Sequence, residues 1–129
     1  MGKSSYLGVM KAIHLICKRD DGLNLNNLTY DKVTRTHRSG HWDITLAQAG
    51  ALVGGWLYLH PSKASPSEFG GNVQSFDEVT VEGLARPRRI VLTVRSSRDG
   101  KGQKWRGAAH SMAYSGSLVD AALPHEQPL

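Results

Sequence analysis

The chain has 129 residues, 40% hydrophobic and 21% charged, a length suited to one compact domain spanning 1–129 and a composition that argues against wholesale disorder. Sixteen Lys and Arg against eleven Asp and Glu give a net charge of +5, which favours anionic partners, nucleic acid foremost. Cys17 is the only cysteine, so an internal disulfide and a Cys-rich zinc site are excluded; with neither a signal-peptide core nor an apolar run able to cross a bilayer, the expectation is a cytoplasmic protein with no membrane partner.

In chain order, Gly8 to Cys17 is dominated by β-branched and large apolar residues and reads as a strand, closed by the turn signal Lys18 to Gly22. Asn24 to Tyr30 is polar, and Asp31 to Gly40 follows no clean period, with room for one helical turn. Thr45 begins a helix: its hydroxyl can accept from the third helical N–H, Gln48 can reach back, and Leu46, Ala49, Leu52 and Val53 share a face. Gly54 and Gly55 supply the positive φ that stops it. Trp56 to His60 is a strand with Leu57 and Leu59 toward the core and Trp56, Tyr58 and His60 on the other face. Pro61 to Gly71 is a loop longer than a hairpin requires, and such loops often carry function.

Asn72 to Glu82 resumes a strand, in which Val73 and Phe76 fall on opposite faces while Val79 and Val81 agree, so a bulge is expected between them. Arg89 to Arg95 is the clearest strand, with Ile90, Leu92 and Val94 on one face. A glycine-rich basic loop follows; then Lys104-Trp105-Arg106 leads into a short helix from Ala108 to Tyr114, and the last ten residues read as a flexible tail. These elements predict an α+β, mainly β fold: a small, partly closed β-barrel with short helices covering it.

Catalytic patterns are thin. His37 and His41 are the only close histidine pair, in a segment that is not clearly helical, so no metal and no other cofactor is expected. Ser67 or Ser111 with His60 or His110 lacks a Gly-x-Ser-x-Gly elbow, and Asp77 with Glu78 would point to opposite strand faces. No catalytic residue is assigned. The basic residues are more informative: Arg86, Arg88, Arg89, Arg95, Arg98, Lys101, Lys104 and Arg106, half of the total, fall in one stretch with Asp99 as its only acid. On a strand and its following loop they are suited to neutralising successive phosphates. Aromatic rings beside such charges are the recipe for stacking a splayed base. Trp105, between Lys104 and Arg106, is the first choice for that ring, and Trp42 is the second.

The run Val53-Gly54-Gly55-Trp56-Leu57-Tyr58-Leu59-His60-Pro61-Ser62, followed by a polar loop and Gly70-Gly71-Asn72-Val73, resembles a segment of EVE-type PUA-like domains. There a short helix passes through a Val-Gly turn, a strand ends in Tyr-x-His-Ser, and a loop leads to a glycine-bearing strand. The resemblance spans Thr45 to Val81. Gly55 departs from it, standing where an acidic residue is common, as does Ile13-His14-Leu15, which lacks the family's tryptophan. It implies a small β-barrel whose pocket takes a modified or flipped nucleobase, with Tyr58, His60 and Ser62 at or beside the pocket. The residues themselves add Trp42, Lys63, Trp105 and Arg106.

The expected function is a nucleic-acid-binding module, DNA or RNA, with an aromatic-lined base pocket and a basic face for phosphates. Two rivals remain. One is a small protein-interaction or inhibitor protein whose basic face meets an acidic partner. The other is a small enzyme acting on nucleotides or nucleic acid, using His60 or His41 as general acid or base with Arg106 against phosphate charge.

Overall fold

The computed structural model describes residues 10–22, 24–107 and 118–127, and within them the fold is mainly β. Seven strands, β1 (Lys11–Ile16), β2 (Leu28–Asp31), β3 (Thr36–Trp42), β4 (Trp56–His60), β5 (Phe69–Thr80), β6 (Arg88–Ser96) and β7 (Val119–Asp120), form one sheet in the order β2-β3-β6-β5-β4-β1-β7. One helix, α1 (Leu46–Leu52), joins β3 to β4. The terminal strands β2 and β7 are not paired to each other, so the hydrogen-bonded sheet is open. No helix among the described residues is long and apolar enough to cross a membrane.

Alternation along the strands builds the core on one face. Ile13 and Leu15 of β1, Leu57 and Leu59 of β4, Val73 of β5 and Ile90, Leu92 and Val94 of β6 pack together with Ala49 and Leu52 of α1. The expected bulge lies between Val73 and Ser75, where β5 slips against β6. That single slip brings both Val73 and Phe76 to the core although they are three residues apart. The helix starts as its sequence predicts: Gln48 N donates to Thr45 Oγ1 at 3.0 Å, and Thr45 N donates to Gln48 Oε1 at 2.9 Å. Gly54 ends it with φ of 87°. Gly55 is required for a different reason, because a Cβ there would lie 2.0 Å from the Lys11 carbonyl oxygen.

Three expectations are corrected or displaced. The segment from Asp31 to Gly40 holds no helical turn but the turn and second strand of a β2–β3 hairpin, with Tyr30 opposite His37 and Asp31 opposite Thr36. The last residues are not a free tail as far as they are described: β7 adds to β1, and Pro124–Glu126 form a 3-10 turn that buries Glu126 completely. The expected helix from Ala108 to Tyr114, with His110 and Ser111, lies outside the described residues.

Candidate functional site

The parallel pairing of β1 with β4 places His14 beside Tyr58 and Ile16 beside His60. Strand alternation then puts His14, Tyr58 and His60 together on the face opposite the core. All three are 0% exposed, because a second layer covers them: Trp105 and Arg106 from the basic loop, and the Val119–Glu126 segment.

The basic loop reaches this face through a pair of glycines. Gly70 is the β5 neighbour of Tyr58, and a Cβ on it would lie 2.6 Å from the Gly100 carbonyl oxygen; a Cβ on Gly100 would meet Gly70 C at 2.2 Å. Two bare backbones therefore lie in contact where side chains would hold them apart. Ser67 pins the loop in place, its Oγ donating to Gly100 O at 2.6 Å and accepting from Gln103 N at 2.9 Å. Ser67 is thus a structural clamp for this loop.

A chain of hydrogen bonds runs through the histidines. His60 Nδ1 lies 2.9 Å from the Ser65 carbonyl oxygen, and His60 Nε2 lies 2.7 Å from His14 Nδ1. A carbonyl only accepts, so His60 Nδ1 carries the proton, neutral His60 Nε2 accepts, and His14 Nδ1 donates. The remaining nitrogen, His14 Nε2, is then a lone pair, buried and without a hydrogen-bond partner. Burial, then His60 and Arg106, push His14 down to about 3, against the opposing influence of Glu126. Burial lowers His60 as well, partly offset by its bond to Ser65. Both rings are therefore neutral near pH 7.

Next to this chain stands a charged one. Glu126 accepts from Tyr58 Oη at 2.5 Å, from the Ala122 and Leu123 N–H groups at 2.6 and 2.9 Å, and from Arg106 NH2. Burial alone would raise its pKa, but the Leu123 N–H, the Tyr58 hydroxyl, the Ala122 N–H and the Arg106 charge outweigh it and the carboxyl ends lowered. Tyr58 is raised, first by burial and then by the hydrogen bond to Glu126. His125 Nε2, 2.7 Å from Tyr58 Oη, donates to that oxygen, whose own proton goes to Glu126. The two chains touch through stacked rings: His14 lies 4.6 Å from Tyr58 at an interplanar angle of 23°, and the Arg106 guanidinium lies 5.8 Å from the Tyr58 ring centroid.

Trp105 closes the arrangement, edge-on to His60 at 5.1 Å and to His14 at 5.8 Å. It also lines an open surface depression of about 430 Å³, bounded by Lys63, Ala64, Ser65, Pro66, Gly102 and Lys104. Lys63 Nζ lies 5.8 Å from the Trp105 ring centroid. The depression and the histidine chain thus share two residues, Trp105 and Ser65.

Of the residues picked from sequence, Lys63, Lys104 and Trp105 meet at this depression, His60 is sealed behind Trp105, Tyr58 is buried under Arg106, His125 and Glu126, and Ser62 sits in the adjacent loop, its Oγ 3.0 Å from Ser65 Oγ. Trp42 is elsewhere: it packs against the apolar core and donates from Nε1 to Ser39 Oγ at 2.9 Å. The basic stretch is divided. The nine residues of β6 separate its ends by ~26 Å at about 3.3 Å per residue, leaving Arg86, Arg88 and Arg89 at one end and Arg95, Arg98, Lys101 and Lys104 at the other. Arg86 pairs with Asp43 at 3.2 Å, Arg88 with Glu78 at 4.0 Å, and Arg89 donates to Arg86 O. Arg106, largely buried, pairs with the fully buried Glu126.

Sequence reading missed His14, His125 and Glu126. The signal for His14 was its place in β1, at the same alternation as Tyr58 and His60 once the two strands pair in parallel. His37 and His41 do not act as a pair: His37 packs between Tyr30 and Phe69, each at 4.8 Å, while His41 is exposed. No group of three or more His, Cys, Asp or Glu able to hold a metal ion is gathered among the described residues. Comparison of this chain with protein-family models, with curated proteins and with solved structures finds no match.

Proposed function

We propose that this protein is a cytoplasmic nucleic-acid-binding module that stacks a base on Trp105, with Lys63 and Lys104 beside it and Arg98 and Lys101 continuing the path of the phosphates. The observation that carries the reading is the depression itself: an indole face in its wall, a lysine ammonium over that ring, and a second lysine on the rim. Aromatic and cationic groups in this juxtaposition suit a ligand that is planar and anionic together, which describes a nucleotide. Arg95 supports the same surface, since it shares a cross-strand row with Asn72 and Trp56 on the face opposite the core.

The reading includes a PUA-like architecture of the EVE kind. A mainly β fold with one short capped helix ahead of the Trp56–His60 strand is compatible with it, as is the position of the Tyr58, His60 and Ser62 motif next to the depression. In this chain, however, Tyr58 and His60 are buried, His60 against Trp105, and neither is an open contact. The test is fluorescence anisotropy of labelled single-stranded and double-stranded oligonucleotides. Trp105→Ala is expected to weaken binding by ~1–3 kcal/mol for the stacked base, and unchanged affinity in a folded variant would remove Trp105 from the site.

A second reading is favoured by the other basic cluster. Arg86 and Arg88 border a groove of about 560 Å³ lined by Ile44, Leu46, Ala85 and Pro87 and by Asp43 and Glu78, with which the two arginines pair; an acidic, apolar-anchored protein segment would have to compete for those arginines. A protein partner recovered after nuclease treatment, and lost on Arg86→Glu, would establish it.

A further inference from the structure

Three buried side-chain polar atoms among the described residues have no hydrogen-bond partner: His14 Nε2, Arg106 Nε and His37 Nδ1. The first two belong to side chains packed on the same residue, Tyr58. They are also complementary. The hydrogen-bond chain from Ser65 through His60 leaves His14 Nε2 as an acceptor, whereas a guanidinium Nε–H is always a donor. Buried groups of this kind cost stability unless something satisfies them.

We propose that His14 Nε2 and Arg106 Nε are the acceptor and the donor that read the edge of a planar heterocycle, of nucleobase type, seated at Trp105. This rests on the nucleic-acid reading and deepens it by naming the atoms that give selectivity. A nucleobase edge offers adjacent N–H and lone-pair positions, the donor and acceptor types that these two orphan atoms lack. Trp105 is the route of access. Its ring makes edge contacts with both histidines and also lines the open depression. His14 does not border the depression as it stands, so a ligand must displace the Trp105 side chain to reach it. Ser65 links the same two places, because it lines the depression and its carbonyl fixes the tautomers of the whole chain. Burial keeps His14 neutral through the physiological range, so it stays an acceptor and rejects a group that only accepts.

The experiment uses the full chain and single-stranded DNA oligonucleotides bearing one base among abasic positions. For whichever base binds tightest, the edge donor is removed or blocked: purine for adenine, 2-pyrimidinone for cytosine, or the N-methyl derivative of guanine or thymine. The expected result is at least tenfold weaker binding of the analogue to the wild-type protein, and loss of that discrimination in His14→Phe, which keeps a ring on Tyr58 and deletes the acceptor. Equal affinity of the wild-type protein for base and analogue, or discrimination that persists in His14→Phe, would overturn the inference while leaving the Trp105 site intact. Absence of binding to any of the four bases would overturn both. The purine and 2-pyrimidinone comparisons add no bulk and need only wild-type protein, so they decide the matter even if His14→Phe does not fold.

Discussion

On one face of β1 and β4, Ile13, Leu15, Leu57 and Leu59 join the apolar cluster under α1; on the other, His14, Tyr58 and His60 are equally hidden from solvent but meet Glu126, Arg106 and one another's ring nitrogens. The apolar face is held by removal of surface from water, which is additive and tolerant of small shifts. The polar face depends on each donor finding its acceptor, so the loss of one partner leaves another buried and unsatisfied. The second arrangement lies behind Trp105, where the binding site is proposed.

The comparison is broken most severely by removing the cation from the polar face. Arg106→Met leaves the Glu126 carboxylate buried without its counter-charge, and urea unfolding should show a loss of ~3–5 kcal/mol. Leu57→Ala tests the apolar face by the same measurement and should cost ~2–5 kcal/mol through a cavity, with no change in the ionisable groups. The third test separates the faces by pH. An unfolded histidine titrates near ~6.5, whereas His14 in the folded chain is held at about 3. The unfolded state therefore takes up the proton first as pH falls, and the stability that neutral His14 represents is full above pH 6.5 and lost progressively toward pH 3. His60, also lowered, acts in the same direction, and Glu126, a lowered carboxyl, adds its loss within the acid range. Urea midpoints measured across this window should fall with pH in the wild-type protein and in Leu57→Ala alike, and should fall less in His14→Phe.

The apolar face was legible because its signals are local. Leu57 and Leu59, then Ile90, Leu92 and Val94, alternate within single strands, and Thr45 with Gln48 announces the helix three residues ahead. The β2–β3 hairpin was not, because Thr36-His37-Arg38-Ser39-Gly40-His41-Trp42 carries little apolar character: its inward positions include Ser39 and Gly40, buried by what lies over them. The polar face was only half visible. Tyr58, His60 and Trp105 were picked, but Glu126 lies in a segment whose own composition suggests fraying, and its side-chain partners, Tyr58 and Arg106, are 68 and 20 residues away. The split of the basic stretch was invisible for a related cause. A run of charges has no direction until the strand that carries it is laid out, and β6 sends its two ends to opposite sides of the sheet.

That split provides the most direct test of the account. Oligonucleotide affinity should be measured by anisotropy at two salt concentrations for the wild-type protein, for Arg98→Gln with Lys101→Gln and Lys104→Gln combined, and for Arg86→Gln with Arg88→Gln combined. Binding at the Trp105 end predicts a weaker complex and a shallower salt dependence in the first variant only, the slope falling by about 0.7 for each single-strand phosphate that is no longer neutralised. Equal weakening in both variants, or weakening confined to the Arg86 and Arg88 pair, would contradict the placement of the site at Trp105.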